Sequence, residues 1–319
     1  MKSKGNILIV VLLIVTMVLS AGCGKVNTPP AQGEGVEEKL LVYASFYPMY
    51  DFATKIGGDK AEVRMMVPPG VEAHDWEPTA KLMGEIEKAD VLIYNGLDME
   101  PWADKLLGAI QNDKLITVEA VEGIELLKTE EEAEDEHEEE DHAHGEFDPH
   151  VWLDPMNAMK QAENIKNAFI QADEANKDYY EANYQEFAKK LIALDEQFKQ
   201  ELSSLKRKEI VVAHAAFGYL TNRYGLEQIA IRGISPQEEP SAAKMAEISK
   251  FAKQHDVKYI FFETLTNPKL AEVLAREVGA QTMVLNPLEG LTEEELKAGK
   301  DYFAVMEENL AALKKALGE

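Results

Sequence analysis

Seven histidines are spread unevenly along the chain, and three of them stand where an imidazole could do chemistry. His74 follows the turn Pro68-Pro69-Gly70, His150 lies in Asp148-Pro149-His150-Val151-Trp152-Leu153-Asp154-Pro155, and His214 comes directly after the apolar run Ile210–Ala213. One histidine in such a place is usually structural; three, drawn from both halves of the chain, point to a shared metal ion. A closed tetrahedral zinc site takes four ligands. The only cysteine is Cys23, close to the N-terminus, so the fourth donor is expected to be a carboxylate, which also lowers the net charge of the site. Two candidates follow predicted strand ends: Glu263 after Tyr259–Phe262, and Glu289 in Leu285-Asn286-Pro287-Leu288-Glu289-Gly290-Leu291-Thr292. These residue types leave both open. Three imidazoles and a carboxylate suit zinc better than manganese, which prefers oxygen, although copper or nickel would also be accepted on affinity alone. Trp152 and Asp154 are placed to form a wall and an outer hydrogen-bonding partner for the site. His255, at a predicted helix C-terminus, reads as structural, held there by the helix dipole.

Three further histidines, His137, His142 and His144, fall in the segment 130–148, which is crowded with Glu and Asp and has no Lys or Arg. Such a stretch cannot bury enough apolar surface to pack a core and must be a solvated loop. Interleaved imidazoles and carboxylates are nevertheless the ligands zinc uses, so this loop is expected to bind metal weakly and exchangeably.

The elements that must position these residues alternate. Strand-like Leu40–Phe46, Ala61–Val67, Val91–Asn95 and Leu115–Val118 are separated by helical patterns at Tyr50–Ile56, Ala80–Lys88 and Glu100–Ile110. The second half repeats the rhythm. Strands are expected at Ile210–Ala213, Ile229–Arg232, Tyr259–Phe262 and Thr282–Leu285. Helices are expected at Ala216–Tyr224, Ala242–Gln254, Pro268–Val278 and Asp301–Leu317. This spacing predicts right-handed βαβ units and parallel sheets, whose ligands bind beyond the strand carboxyl ends, where His74 and His214 fall. Between the halves, a helix over Asn157–Gln171 breaks at Asp173. Tyr180, Tyr184, Phe187, Leu191, Leu194, Phe198, Leu202 and Leu205 then recur every three or four residues. That predicts a helix of about thirty residues, roughly 45 Å long, able to act as a strut between two lobes.

The N-terminus carries two lysines before Gly5, an apolar run Ile7–Leu19, and then Ser20-Ala21-Gly22-Cys23. The run is short for a membrane span, which needs about 20 residues, and the arrangement reads as a signal peptide. Cys23 is expected to be lipidated, although Ser20 stands where such a motif usually has a larger aliphatic residue. Residues 24–38, rich in Gly, Pro, Gln and Glu, read as a flexible tether. The formal net charge of −25 argues against a nucleic-acid partner, for which a basic patch is the electrostatic footprint.

Taken together, these segments resemble the metal-specific solute-binding proteins of bacterial ABC importers, in the zinc-uptake branch of the cluster A-I group. The resemblance covers nearly all of the chain after Cys23. It rests on Pro69-Gly70-Val71-Glu72-Ala73-His74-Asp75-Trp76-Glu77-Pro78, the acidic histidine loop, the His150 segment and Ala213-His214-Ala-Ala-Phe-Gly-Tyr219. It rests also on Ile234-Ser-Pro-Gln-Glu-Glu-Pro-Ser241, Phe261-Phe-Glu-Thr-Leu265 and the Glu289 segment. It implies an α/β fold of two lobes, each with a parallel sheet flanked by helices, joined by one long rigid helix with the metal in the cleft. The expected divisions are a lipoprotein signal peptide (1–22), a tether (23–38), a first lobe (39–172, including the loop 130–148), a linking helix (173–206) and a second lobe (207–319). It implies His74, His150, His214 and, from the Asn-Pro-Leu-Glu type of segment, Glu289 as ligands. Some relatives have a glutamate where this chain has Ala73, and others an aspartate near Asn286. The function implied is a high-affinity, lipid-anchored, monomeric receptor that hands Zn²⁺ to a membrane permease and is no enzyme. A surface adhesin is a second reading. A zinc hydrolase is a third, disfavoured because no His-Glu-x-x-His motif is present and a fourth donor is at hand.

Overall fold

Strands with apolar residues on both faces, alternating with amphipathic helices, have to be covered by helices on each side, and the chain does this twice. A computed structural model describes residues 39–129 and 145–319. In the first half β1 (Leu40–Ala44), α1 (Tyr47–Gly57), β2 (Ala61–Met65), α2 (Ala80–Ile86), β3 (Val91–Tyr94), α3 (Ala103–Ala109) and β4 (Ile116–Glu119) build a sheet of order β2-β1-β3-β4. The helices α4 (Pro155–Ala172) and α5 (Lys177–Ser203) follow. The second half contains β5 (Glu209–His214), α6 (Gly218–Tyr224), β6 (Glu227–Arg232), α7 (Ala242–Gln254), β7 (Tyr259–Phe262), α8 (Lys269–Val278) and β8 (Gln281–Val284). These strands form a sheet of order β6-β5-β7-β8, and α9 (Glu293–Lys297) and α10 (Tyr302–Gly318) close the chain. Every strand pair is parallel. Each sheet reverses direction of growth once, between β1 and β3 and between β5 and β7. A crevice opens at the carboxyl ends of the strands at such a point.

Side-chain alternation sorts the core into three layers. Val42, Ala44, Val91, Ile93, Ile210, Val212, Tyr259 and Phe261 face a central core that runs without interruption from one half to the other. Their neighbours face outward into two smaller clusters. Tyr43 and Leu92 pack with Ile86, Trp102 and Leu106. Val211 and Ile260 pack with Ile248 and Leu274. This is the period of two expected of strands. Each fully buried large apolar side chain contributes about 1.5–3 kcal/mol.

The long helix α5 runs for 27 residues, about 40 Å at 1.5 Å per residue. Its Phe187 meets Phe52 of α1 at 5.3 Å, and its Phe198 stacks on Tyr224 of α6 at 5.0 Å, so it packs on both halves. A second tie is less evident from sequence. Tyr302, at the start of α10, packs edge-on against Phe52 at 5.1 Å and donates its hydroxyl proton to the Trp152 carbonyl at 2.7 Å.

Boundaries depart from expectation where capping decides them. Helix α1 starts three residues early because Pro48 occupies its first turn, where a missing N–H costs nothing. Helix α3 starts three residues later than the pattern suggested. His214 is the last residue of β5 rather than the first beyond it. The short α9 has no counterpart among the expected elements. It is set by a capping box in which the Thr292 hydroxyl accepts from Glu295 N and the Glu295 carboxylate accepts from Thr292 N. The Ile7–Leu19 run, Cys23, the tether and His137, His142 and His144 lie outside the described residues. Among the described residues no helix is long and apolar enough to cross a membrane.

Candidate metal centre

His214 reaches the crevice because it ends β5 beside the reversal point of the second sheet, and Glu263, just past β7, lies on the other side of that point. The His214 Nδ1–H donates to Glu263 Oε1 at 2.5 Å. A carboxylate can only accept, so this bond fixes the proton on Nδ1 and turns Nε2 into the crevice. His150 is oriented in the same manner by Asp148, whose Oδ1 accepts from the His150 backbone N at 2.9 Å and from its Nδ1–H at 2.7 Å. The backbone of this segment is tied to the first sheet through Asn95, which donates to the Pro149 carbonyl at 3.0 Å. Asn95 is in turn held by Glu100, whose carboxylate accepts from Asn95 N, Gly96 N and the Ser45 hydroxyl. Burial raises the Glu100 carboxyl to about 7 against the pull of those donors.

His74 follows a turn in which Gly70 has φ +77, a conformation that favours glycine. Glu72 Oε1 accepts from His74 N at 2.9 Å and shapes the bend. Glu289 lies on a segment pinned from within the second half. Asn309 of α10 bonds both the N–H and the carbonyl of Asn286, at 2.8 and 2.7 Å, and the Asn286 side chain accepts from Leu288 N at 2.8 Å. Leu288 has φ +63, a strained conformation for a branched side chain, and such strain concentrates at functional sites.

These four segments bring His74, His150, His214 and Glu289 together, each with one ligand-type atom within 4.8 Å of all the others. Glu289 Oε1 lies 3.1 Å from His150 Nε2, 3.1 Å from His214 Nε2 and 3.6 Å from His74 Nε2. The Nε2 atoms of His74 and His150 are 3.4 Å apart. A tetrahedron with arms of 2.0–2.1 Å, the Zn–N and Zn–O lengths, has edges of about 3.3–3.4 Å. Because Nδ1 of His150 and of His214 is already committed, neutral rings turn two lone pairs toward one carboxylate. That arrangement requires protons or a cation between them. The electrostatics agree. Burial opposes charge on His214, but the Glu263 and Glu289 carboxylates outweigh it and raise its pKa well above the ordinary value. Burial would likewise raise Glu289, yet the His214 charge and hydrogen bonds from His150, His214 and His74 pull it well below the carboxylate range. His150, His214 and Glu289 are buried, and only His74 keeps some exposure.

The family model described as zinc-uptake complex component A, periplasmic (ZnuA), matches residues 42–316. The chain belongs to this family. It is 42% identical over 300 residues to the high-affinity zinc uptake system protein ZnuA of Bacillus subtilis, covering 94% of each chain. It is 41% identical over 301 residues to the zinc-binding lipoprotein AdcA of Streptococcus pneumoniae, covering 94% of this chain and 60% of that protein. It thus spans about three fifths of AdcA. The crystal structure of the Zn(II)-bound ZnuA-like domain of that AdcA superposes with a TM-score of 0.76 at 40% identity, over 88% of this chain and 100% of the other.

For this member of the family, the two glutamates that the residue types left open occupy different positions. Glu289 faces the Nε2 atoms, and Glu263 faces the far nitrogen of His214. The wall expected of Trp152 is present, with its ring 5.3 Å from that of His150. Asp154 is a correction: it accepts from Met156 N to cap α4 and pairs with Arg223 at 3.2 Å, while Asp148 is the carboxylate on the histidine. The Asp-x-His spacing was a signal for this, since such a carboxylate can fold back onto the imidazole two residues on. Asn95 and Asn309 had no signal in the sequence. His255 stacks on Phe251 at 3.9 Å and meets Glu209 at 3.2 Å, away from the cluster.

Proposed function

We propose that the protein is an extracytoplasmic receptor that captures Zn²⁺ on His74, His150, His214 and Glu289 and delivers it to the membrane permease of an ABC importer. The observation that carries this reading is the convergence of three histidines and one glutamate, their ligand atoms within 4.8 Å of one another, with Glu289 Oε1 3.1–3.6 Å from each Nε2 and the His74 and His150 Nε2 atoms 3.4 Å apart, close to the edges of a zinc tetrahedron. Membership of a zinc-uptake family and the names of the relatives support it. Four protein donors close a tetrahedral site and leave no position for a reactive water, which favours cargo binding over hydrolysis. Three imidazoles favour zinc over oxygen-preferring manganese.

In this reading the signal peptide ends at Gly22, Cys23 carries the lipid anchor and residues 23–38 are the tether. Residues 39–172 and 207–319 are the lobes, and 173–206 link them. The histidine loop gathers zinc near the cleft, the receptor acts as a monomer, and the permease parts the lobes to release the ion. The deciding experiment is calorimetric titration of residues 24–319 with zinc, alongside His214→Ala and Glu289→Ala. One tight site per chain, weakened by orders of magnitude in both variants, is expected. A tight site indifferent to Glu289→Ala would overturn the ligand set. For the anchor, Cys23→Ser should shift the protein from the membrane fraction to the medium, and retention would refute lipidation.

A further inference from the structure

The bonds that aim each ligand lie within its own half of the molecule, so something else must hold the two halves of the cluster in register. Trp152 is placed to do so. It is fully buried, two residues after His150, and its indole N–H donates at 2.7 Å to the carbonyl of Pro287, two residues before Glu289. Its ring packs against the His150 ring at 5.3 Å and stands edge-on to Phe46 at 4.9 Å. The indole bond therefore spans the same gap as the cluster itself. Other bonds between the halves flank it: Gly70 N donates to the Leu291 carbonyl at 2.9 Å on the His74 side, and the Tyr302 hydroxyl donates to the Trp152 carbonyl at 2.7 Å. An indole N–H has a single proton to donate, and Pro287 is buried, so a carbonyl left without its donor there carries a desolvation cost.

We propose that Trp152 is a positioning residue that latches the His150 and Glu289 sides of the site together and sets how fast zinc leaves. The inference rests on the zinc reading above. For the ion to depart, His150 and Glu289 must separate, and a bond joining positions two residues from each must break with them. Phenylalanine keeps an aromatic ring at this place, with some loss of packing volume, but removes the donor and strands the Pro287 carbonyl, and benzothienylalanine removes the donor while keeping the indole's size.

The test is stopped-flow transfer of zinc from the loaded protein to excess chelator, comparing wild type, Trp152→Phe and Tyr180→Phe. Tyr180 is an equally buried aromatic whose hydroxyl donates to Asp173 at 2.9 Å, in the α4–α5 connection away from the cluster. Loss of a buried donor predicts that Trp152→Phe releases zinc about 5- to 100-fold faster. Tyr180→Phe should lower the melting temperature of the zinc-free protein yet release zinc at the wild-type rate. Release from Trp152→Phe at the wild-type rate would overturn the proposal. So would a Tyr180→Phe acceleration that matches its loss of stability. If the phenylalanine variant does not fold, benzothienylalanine at position 152, with sulfur in place of the N–H, makes the same comparison. A wild type with no tight zinc site would instead refute the zinc reading itself.

Discussion

Glu263 touches no point where an ion would sit, yet it meets the Nδ1–H of His214 and so decides what His214 can offer. Replacing it with glutamine keeps the shape and the accepting oxygen but removes the charge that makes the imidazole a stronger donor. Zinc affinity should fall about 10- to 100-fold, the usual cost of losing such a partner, without loss of the fold; calorimetry on Glu263→Gln checks this. The same carboxylates govern the response to pH. In the zinc-free chain the pKa values of His150 and His214 are raised, burial notwithstanding, by Asp148 and Glu289 for the first and by Glu263 and Glu289 for the second. Their ion pairs stabilise the zinc-free fold fully below the unfolded histidine value of about 6.5, and that contribution is lost as pH rises through the raised values. Zinc has to displace the same protons, so its affinity climbs as pH rises toward the raised values and falls steadily below them. The gap in melting temperature between zinc-loaded and zinc-free protein should therefore widen from pH 6 to 8. A constant gap would show that the histidines do not exchange protons for metal.

At the scale of elements, the histidine loop enters and leaves at one place. Lys128 and Phe147 form an antiparallel bridge, with Thr129 N bonded to the Glu146 carbonyl at 3.2 Å and Asp148 N to the Leu127 carbonyl at 2.9 Å. The ends to be rejoined after removing residues 130–145 are already neighbours, so the excision asks only for a tight turn between Lys128 and Phe147 in place of the Thr129–Glu146 bond, and loop entropy grows only as the logarithm of length. His150 keeps its orientation, because Asp148 and Asn95 lie outside the excised segment. The deletion is expected to retain one tight zinc per chain while lowering total stoichiometry or slowing loading. Calorimetry and stopped-flow mixing separate those outcomes from loss of the tight site, which would place a principal ligand in the loop.

At the scale of the whole molecule, α5, the start of α10 and the uninterrupted central core all cross between the halves. A hinge of loops alone could close widely around a ligand; here large closure would break packing along a helix of 27 residues. Zinc binding should thus tighten side chains and segments rather than swing the lobes. Solution scattering of residues 39–319 should give a radius of gyration near 19 Å, the value for a folded chain of about this size, with zinc and without. A marked contraction on loading would show that the helix bends or the core parts.

The sequence by itself determined residue chemistry and element type. Period-two runs such as Val42-Tyr43-Ala44 divide between two cores as alternation requires. The helical recurrence from Tyr180 to Leu202 became one helix, and His74, His150 and His214, singled out as candidate ligands by their kind and their places relative to strands, are brought together with Glu289. Local capping was legible where the cap lay beside its helix, as Ser241 does before α7. Only the tertiary structure decided what depends on distances across the chain. Glu263 and Glu289 are the same side chain after two parallel strands, and no local pattern says which faces Nε2 and which faces Nδ1 of His214. Asp148 and Asp154 flank His150 in sequence, but only the former folds back onto it, because the latter is occupied by α4 and Arg223. Trp152 and Asn309 act on Pro287 and Asn286 across 135 and 23 residues. Contacts at such separations arise from packing two sheets on one core, and the sequence carries them only through the fold.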